Sequence, residues 1–219
     1  MVALITEGTA FDKHGRPFRR RNPRPAIIVV IALVVVTAAT WIVVFTRPAD
    51  IHHVDACNPP PVPAGANSAA PPQLGEQVSR SEMSDVAPAK LGDTRVRVLN
   101  ASGRGGQAGD VAGALRDLGF AQPAAANDPI YANTRLSCQG QLRFGTAGQA
   151  AAAAVWLVAP CTELFRDDRA DDSVDFALGA DFSALAHNDD IDAVLASLRS
   201  GSAPPVDASA LSKAHAASC

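Results

Sequence analysis

The sequence contains no two cysteines close enough to share a metal ion. Its four cysteines, Cys57, Cys138, Cys161 and Cys219, are spaced by 81, 23 and 58 residues, whereas a structural zinc site draws on pairs such as C-x-x-C. There is no G-x-S-x-G elbow to present a nucleophilic serine, so Ser102, Asp181 and His187 have no local frame for triad chemistry. The aspartates Asp167, Asp168, Asp171 and Asp172 surround Arg169 without an EF-hand pattern. They read as a solvated turn, with a weak cation site as the sharper alternative. His52-His53 lacks a second ligand cluster. These absences leave no catalytic residue, no metal site and no cofactor to assign.

Charge is missing as well, from residues 26–46. Thirteen of those 21 residues are Val, Ile, Leu or Phe, and a helix rising ~1.5 Å per residue crosses ~30 Å of hydrocarbon with about that length. At roughly −0.3 to −0.6 kcal/mol per bulky apolar residue, insertion is favoured by about 4 to 8 kcal/mol. No A-x-A cleavage site follows, so the segment reads as an uncleaved transmembrane signal anchor rather than a removed leader.

Residues 1–25 carry six cations against Glu7 and Asp12, a net +4. They have no aromatic interleaving of the kind that binds nucleic acid, and they read as a cytoplasmic basic tail that sets topology. Everything from residue 47 onward is then extracytoplasmic, with a net charge of −7 that disfavours nucleic acid as a partner.

Residues 47–93 hold eight of the sixteen prolines and read as a Pro/Ala-rich linker, of which 77–91 can lie against the domain that follows. That domain occupies residues 94–200. Val96 and Val98 alternate with Arg95 and Arg97 as in a half-buried strand. A glycine-dense turn leads to a helix over 107–118, with Ala108, Val111, Ala112, Leu115 and Leu118 at helical spacing and Gly119 as its stop. A short strand over 120–126, interrupted by Pro123, precedes a turn at 127–129. A third strand over 141–145, an alanine-rich helix over 146–159 stopped by Pro160, and a fourth strand over 173–178 follow. A helix over 189–199 carries the stripe Ile191, Val194, Leu195 and Leu198. The pattern predicts an α/β fold: a small two-layer βαββαβ sandwich, helices on one face of the sheet, with an extra C-terminal helix and one transmembrane helix ahead of it. Residues 201–219 read as a flexible tail ending in a disulfide cysteine.

An even cysteine count in an oxidising compartment implies two disulfides, with three pairings open. The helix over 146–159 runs back against the strand over 141–145, which brings Cys161 near Cys138. The expected bridges are therefore Cys138–Cys161 and, by elimination, Cys57–Cys219.

Val98-Leu99-Asn100, Gly106-Gln107-Ala108, the run from Leu115 to Gly119-Phe120, and Leu178-Gly179-Ala180-Asp181-Phe182 together resemble the LytR C-terminal domain family. That family shows V-x-N, G-x-A, L-x-x-x-G-F and a closing I-L-G-x-D-F, and the similarity spans residues 94–182. The resemblance implies a small, non-catalytic, extracytoplasmic envelope module of Gram-positive and actinobacterial proteins. Its implied partners are wall glycan, lipid or other envelope proteins. The family domain often follows a LytR-CpsA-Psr catalytic domain, which does not stand between the anchor and residue 94.

A second function class is a small-ligand-binding or enzymatic domain using the same turn. Gly103-Arg104-Gly105-Gly106-Gln107-Ala108 matches G-x-G-x-x-A between a strand and a helix. The acidic residue expected about 20 positions on is missing, since Asp128 sits in a turn before Pro129. Two readings of the turn remain. The glycines serve backbone geometry alone, or Ser102, Gly103, Arg104, Gly105, Gly106 and Gln107 form a ligand-binding surface where free N–H groups and Arg104 favour a phosphate or carboxylate.

The charge asymmetry about the anchor makes its orientation testable. Reporter fusions that need an extracytoplasmic location are expected to be active at Thr94 and silent at Pro17; the reverse pattern would overturn the topology.

Overall fold

The computed structural model describes residues 24–46, 56–62, 71–199 and 208–215. Most of the basic tail, His52, His53 and Cys219 lie outside them. The chain divides into two compact units, Met1–Asp50 and Ile51–Cys219. In the first, α1 (Arg24–Thr46) is long and apolar enough to cross a membrane. The hydroxyls of Thr37 and Thr40 donate to the carbonyls of Leu33 and Val36, both at 2.8 Å, so neither is left unpaired on an apolar surface.

The second unit is built on a mixed six-stranded sheet. Its strands are β1 (Glu76–Gln77), β2 (Arg95–Asn100), β3 (Ala121–Asn127), β4 (Gly140–Phe144), β5 (Glu163–Arg166) and β6 (Val174–Leu178), in the order β1-β5-β4-β6-β2-β3. β2 is parallel to β3 and β6, and β4 is parallel to β5. β4–β6 and β1–β5 are antiparallel. The helices are α2 (Arg80–Ser84), α3 (Gln107–Leu118), α4 (Gln149–Val158), α5 (Asp189–Arg199) and α6 (Ala208–His215). The four-strand βαββαβ expectation thus misses β1 and β5. Both are too short to show an alternation of their own, and they gain strand geometry from the ladder beside them.

Alternation sorts the sheet into two faces. Val96, Val98, Leu142, Phe144, Leu164, Val174, Phe176 and Leu178 share one continuous core with Leu115 of α3, Leu195 of α5 and every residue of α4 from Ala151 onward. Leu99, Ala177, Tyr131, Leu136 and Cys138 form a separate, smaller cluster. Val78, Met83 and Leu91 also belong to the main core, so the packed unit begins well before residue 94. Of the tail expected to be flexible, Ala208–His215 forms α6, with Ala214 buried in the core and the His215 ring 4.4 Å from Trp156. Burial, with the charge of Arg80 nearby, pushes the His215 imidazole below its ordinary pKa.

Pro123 does not end β3. The register shifts beside it, where Gln122 takes φ 38°, and β3 is the edge strand, so the missing N–H breaks no ladder.

The disulfide pairing corrects the expectation: Cys57 is bonded to Cys138, not to Cys219. Cys161 is also disulfide-bonded. The helix does return toward the start of its strand, but the chain then enters β5 parallel to β4, with Glu163 opposite Gln141. Cys138 belongs to the smaller cluster, where residues 57–58 dock. There the Cys57 N–H donates to Glu163 Oε1 at 3.1 Å, and the Tyr131 hydroxyl donates to the Asn58 carbonyl at 2.8 Å. Asn58 Oδ1 accepts from the Ser137 N–H at 2.7 Å. The proline-rich segment is a strap across the sheet, not a free linker, at this point.

Non-reducing peptide mapping is expected to recover Cys57 linked to Cys138. Cys57→Ser should lower unfolding free energy by about 4 kcal/mol, the chain-entropy value for a loop of this length. A Cys138–Cys161 peptide in the map would refute the pairing.

Candidate functional site

The glycine turn is organised by the last residue of β2. Asn100 Oδ1 accepts from the Ser102 N–H at 3.1 Å and lies 2.9 Å from the Ser102 hydroxyl, while its Nδ2 donates to the Arg104 carbonyl at 2.6 Å. The Ser102 hydroxyl also contacts Gln107 Oε1 and accepts from the Arg104 N–H at 3.0 Å. Ser102 is buried, so its oxygen serves the turn and is not presented outward. His187 pairs with Asp192 at 3.2 Å instead.

Gly103 and Gly106 take φ 76° and 81°, the left-handed region that excludes most side chains, and Gly106 caps α3. Gly105 has an ordinary φ and open space around its Cα. The turn therefore requires glycine at two of its three positions.

Arg104, which the sequence leaves without a structural duty, has one. Its Nη2 donates to the carbonyls of Phe182 and, at 3.3 Å, Ala180; Gln107 Nε2 reaches the Phe182 carbonyl at 3.3 Å. The turn after β2 and the segment after β6 are thus one assembly. Gly179 sits where a Cβ would meet the Cys138 carbonyl at 1.9 Å, and its N–H donates to the Gln139 carbonyl at 3.0 Å. Phe182 closes edge-on against Phe176 with centroids 5.6 Å apart.

A second place of chemical interest was not legible beforehand. Strand alternation puts Gln141 and Arg143 opposite Leu142 and Phe144, on a face that should be wet. Instead, Arg143 is buried: its Nη1 donates to Asp128 Oδ2 at 2.9 Å, and the two side chains are 4 % and 0 % exposed. Asp128 Oδ1 accepts from the N–H groups of Ile130 and Tyr131 at 2.7 and 3.1 Å. Arg143 Nη2 donates to Gln141 Oε1 at 2.8 Å, and Gln141 Nε2 to Glu163 Oε2 at 3.3 Å. Asp128, read as a turn residue, is the anchor of a buried network.

Beside this network the polar face opens. Arg143, Asp175 and Arg97 stand in one row across β4, β6 and β2. Arg97 donates through Nε and Nη2 to the two Asp175 oxygens at 2.6 and 2.7 Å. Arg169 Nη2 bridges Asp167 at 2.7 Å and Asp175 at 2.9 Å. Burial disfavours the Arg169 charge, yet hydrogen bonds to Asp167 and Asp175 raise its pKa above the ordinary guanidinium value. Burial also raises the Asp167 carboxyl, but hydrogen bonds from the Arg169 side chain and backbone outweigh it and leave the group below its usual range. Arg169 is therefore the centre of an ion-pair cluster with Asp167 of the loop and Asp175 of β6, and among the described residues no three His, Cys, Asp or Glu side chains converge on a metal site. Two adjoining hollows, of ≈ 540 and ≈ 320 Å³, share Gln73, Arg97, Asp167 and Arg169 in their walls.

Comparison with known proteins places this geometry in context. Residues 93–182 match the family described as LytR cell envelope-related transcriptional attenuator. The chain is 73 % identical over 219 residues, all of both chains, to the cell envelope integrity protein Cei of Mycobacterium tuberculosis. It is also similar to a solved structure, the soluble domain of a conserved hypothetical secreted protein from Mycobacterium marinum. That match has 75 % identity and a TM-score of 0.65, covering 67 % of this chain and 99 % of the other.

The buried pair makes a sharp expectation. Arg143→Leu leaves the Asp128 carboxylate buried with backbone donors alone and should cost about 3 to 5 kcal/mol in chemical denaturation. Adding Asp128→Asn should restore part of that loss. A single-variant cost within the error of the measurement would show that the charge is not desolvated.

Proposed function

Because this chain belongs to the LytR C-terminal domain family and matches a cell envelope integrity protein along its whole length, we propose that it supports envelope integrity as a non-catalytic binding module anchored by α1. The full-length identity of 73 % is the observation that carries this reading. The basic tail keeps the N-terminus cytoplasmic, and the Ile51–Cys219 unit works outside, where its disulfides persist. With Cys57 bonded to Cys138, the tether is residues 47–56, which reaches at most about 35 Å at ~3.5 Å per residue. The module therefore acts near the membrane surface.

Its partners are wall glycan, envelope lipid or other envelope proteins, those of the LytR-CpsA-Psr type among them. The exposed turn from Gly103 to Gly106 is one contact surface, with Ser102 and Gln107 as its internal supports. The nucleotide-binding alternative has less behind it. Arg104 and Gln107 are engaged with the Phe182 carbonyl, and Asp128 is taken by Arg143.

Cells lacking the chain are expected to become sensitive to detergent and to envelope-directed antibiotics, and the wild-type chain should restore resistance. Unchanged resistance in the deletion strain would refute the envelope role. Gly105→Asp tests the turn, because it adds a charge in open space without backbone strain. If the turn contacts an anionic group, that variant should fail to restore resistance at normal protein levels. Full restoration would remove the turn contact alone.

A further inference from the structure

The polar face of the sheet costs the fold something that packing does not require. Asp175 and Arg143 are nearly excluded from solvent, and ion pairs so placed bring no net stability over apolar residues of similar volume. At the two buried positions, Arg143 and Asp175, apolar residues of similar volume would pack as well. What stands there instead is a trough with pre-set charges, whose two hollows of ≈ 540 and ≈ 320 Å³ each fall in the range of ligand sites.

The pairing pattern selects the ligand. Arg97 already makes a two-point contact with Asp175, and Arg169 is shared between Asp167 and Asp175. A phosphate or carboxylate would have to displace these charge-assisted bonds and face the carboxylates left behind. A cation would face Arg97 and Arg169. An uncharged molecule rich in hydroxyls meets neither penalty, since each hydroxyl both donates and accepts and can join ion pairs that stay intact. The smaller hollow adds an apolar wall of Leu74, Leu99, Pro129 and Ile130. Polar edges beside a C–H surface suit the two characters of a sugar ring. On the footing of the binding role proposed above, we infer that this trough binds an uncharged oligosaccharide segment, with Arg97, Asp167 and Arg169 hydrogen-bonding its hydroxyls.

The test uses the full chain in phosphatidylcholine nanodiscs and saturation-transfer NMR. The probes are uncharged tetrasaccharides of glucose, N-acetylglucosamine, mannose, galactose or arabinose, with inorganic phosphate as the anionic comparison. At least one tetrasaccharide should bind. Arg97→Met and Asp167→Asn should each weaken it about tenfold or more, the loss of one charged hydrogen bond, measured at a temperature where each variant is folded. Asp117→Asn, on the exposed side of α3, should bind as wild type does. Absence of saturation transfer to every sugar, affinity retained in both trough variants, or preferential binding of phosphate would overturn the assignment. These outcomes are separate from failure of the envelope role, which only the deletion strain reports. A sensitive deletion strain fully restored by Arg97→Met would likewise sink the trough while that role stands.

Discussion

The carboxamide of Asn100 holds the domain's two sequence motifs in one structure. It orders the turn through Ser102 and Arg104, and the turn in its ordered form aims Arg104 and Gln107 at the carbonyl of Phe182. That carbonyl follows β6, the strand lying between β2 and β4. The node therefore ties the exit of one central strand to the exit of its neighbour, and the start of α3 is set by both. Ser102 is buried at the centre of this node, where an unpaired polar group costs heavily, so the motif residues depend on one another.

The sheet divides the labour between its faces. One face is covered by helices and carries the apolar core that stabilises a unit of this size. The other is covered by a loop, a disulfide-bound strap and a network running from Cys57 through Glu163, Gln141 and Arg143 to Asp128. Where that covering stops, Arg97, Asp175, Arg169 and Asp167 remain at a solvent-open trough. The bonded strap, held by Cys57–Cys138 and by the hydrogen bonds of Asn58, supports this face beside the trough.

Much of this was legible from local chemistry. The long apolar helix α1 follows from an uncharged apolar run, and the β2–α3–β3 unit from period-2 and helical spacing with a glycine stop. The turn glycines were recognisable, though only the fold separates Gly103 and Gly106, which need positive φ, from Gly105, which does not. Short strands were not legible: Glu163–Arg166 is four residues long, and its ladder partner lies in β4.

By itself the sequence determined what depends on near neighbours: the long apolar helix, the two longer amphipathic helices, the family motifs and the even count of cysteines. The tertiary structure decided everything that depends on which distant segments meet. Cys138 pairs with Cys57 because residues 57–58 dock on the loop over 128–138, a contact across 81 residues that no spacing encodes. Arg143 and Asp128 become a buried pair because the loop folds over a face that alternation alone marks as wet. Arg97 and Arg169 join one ion-pair cluster because parallel pairing of β2 with β6 sets Asp175 beside both of them. Periodicity reports the direction of a side chain, while its partner is chosen by chain segments that local preference leaves free.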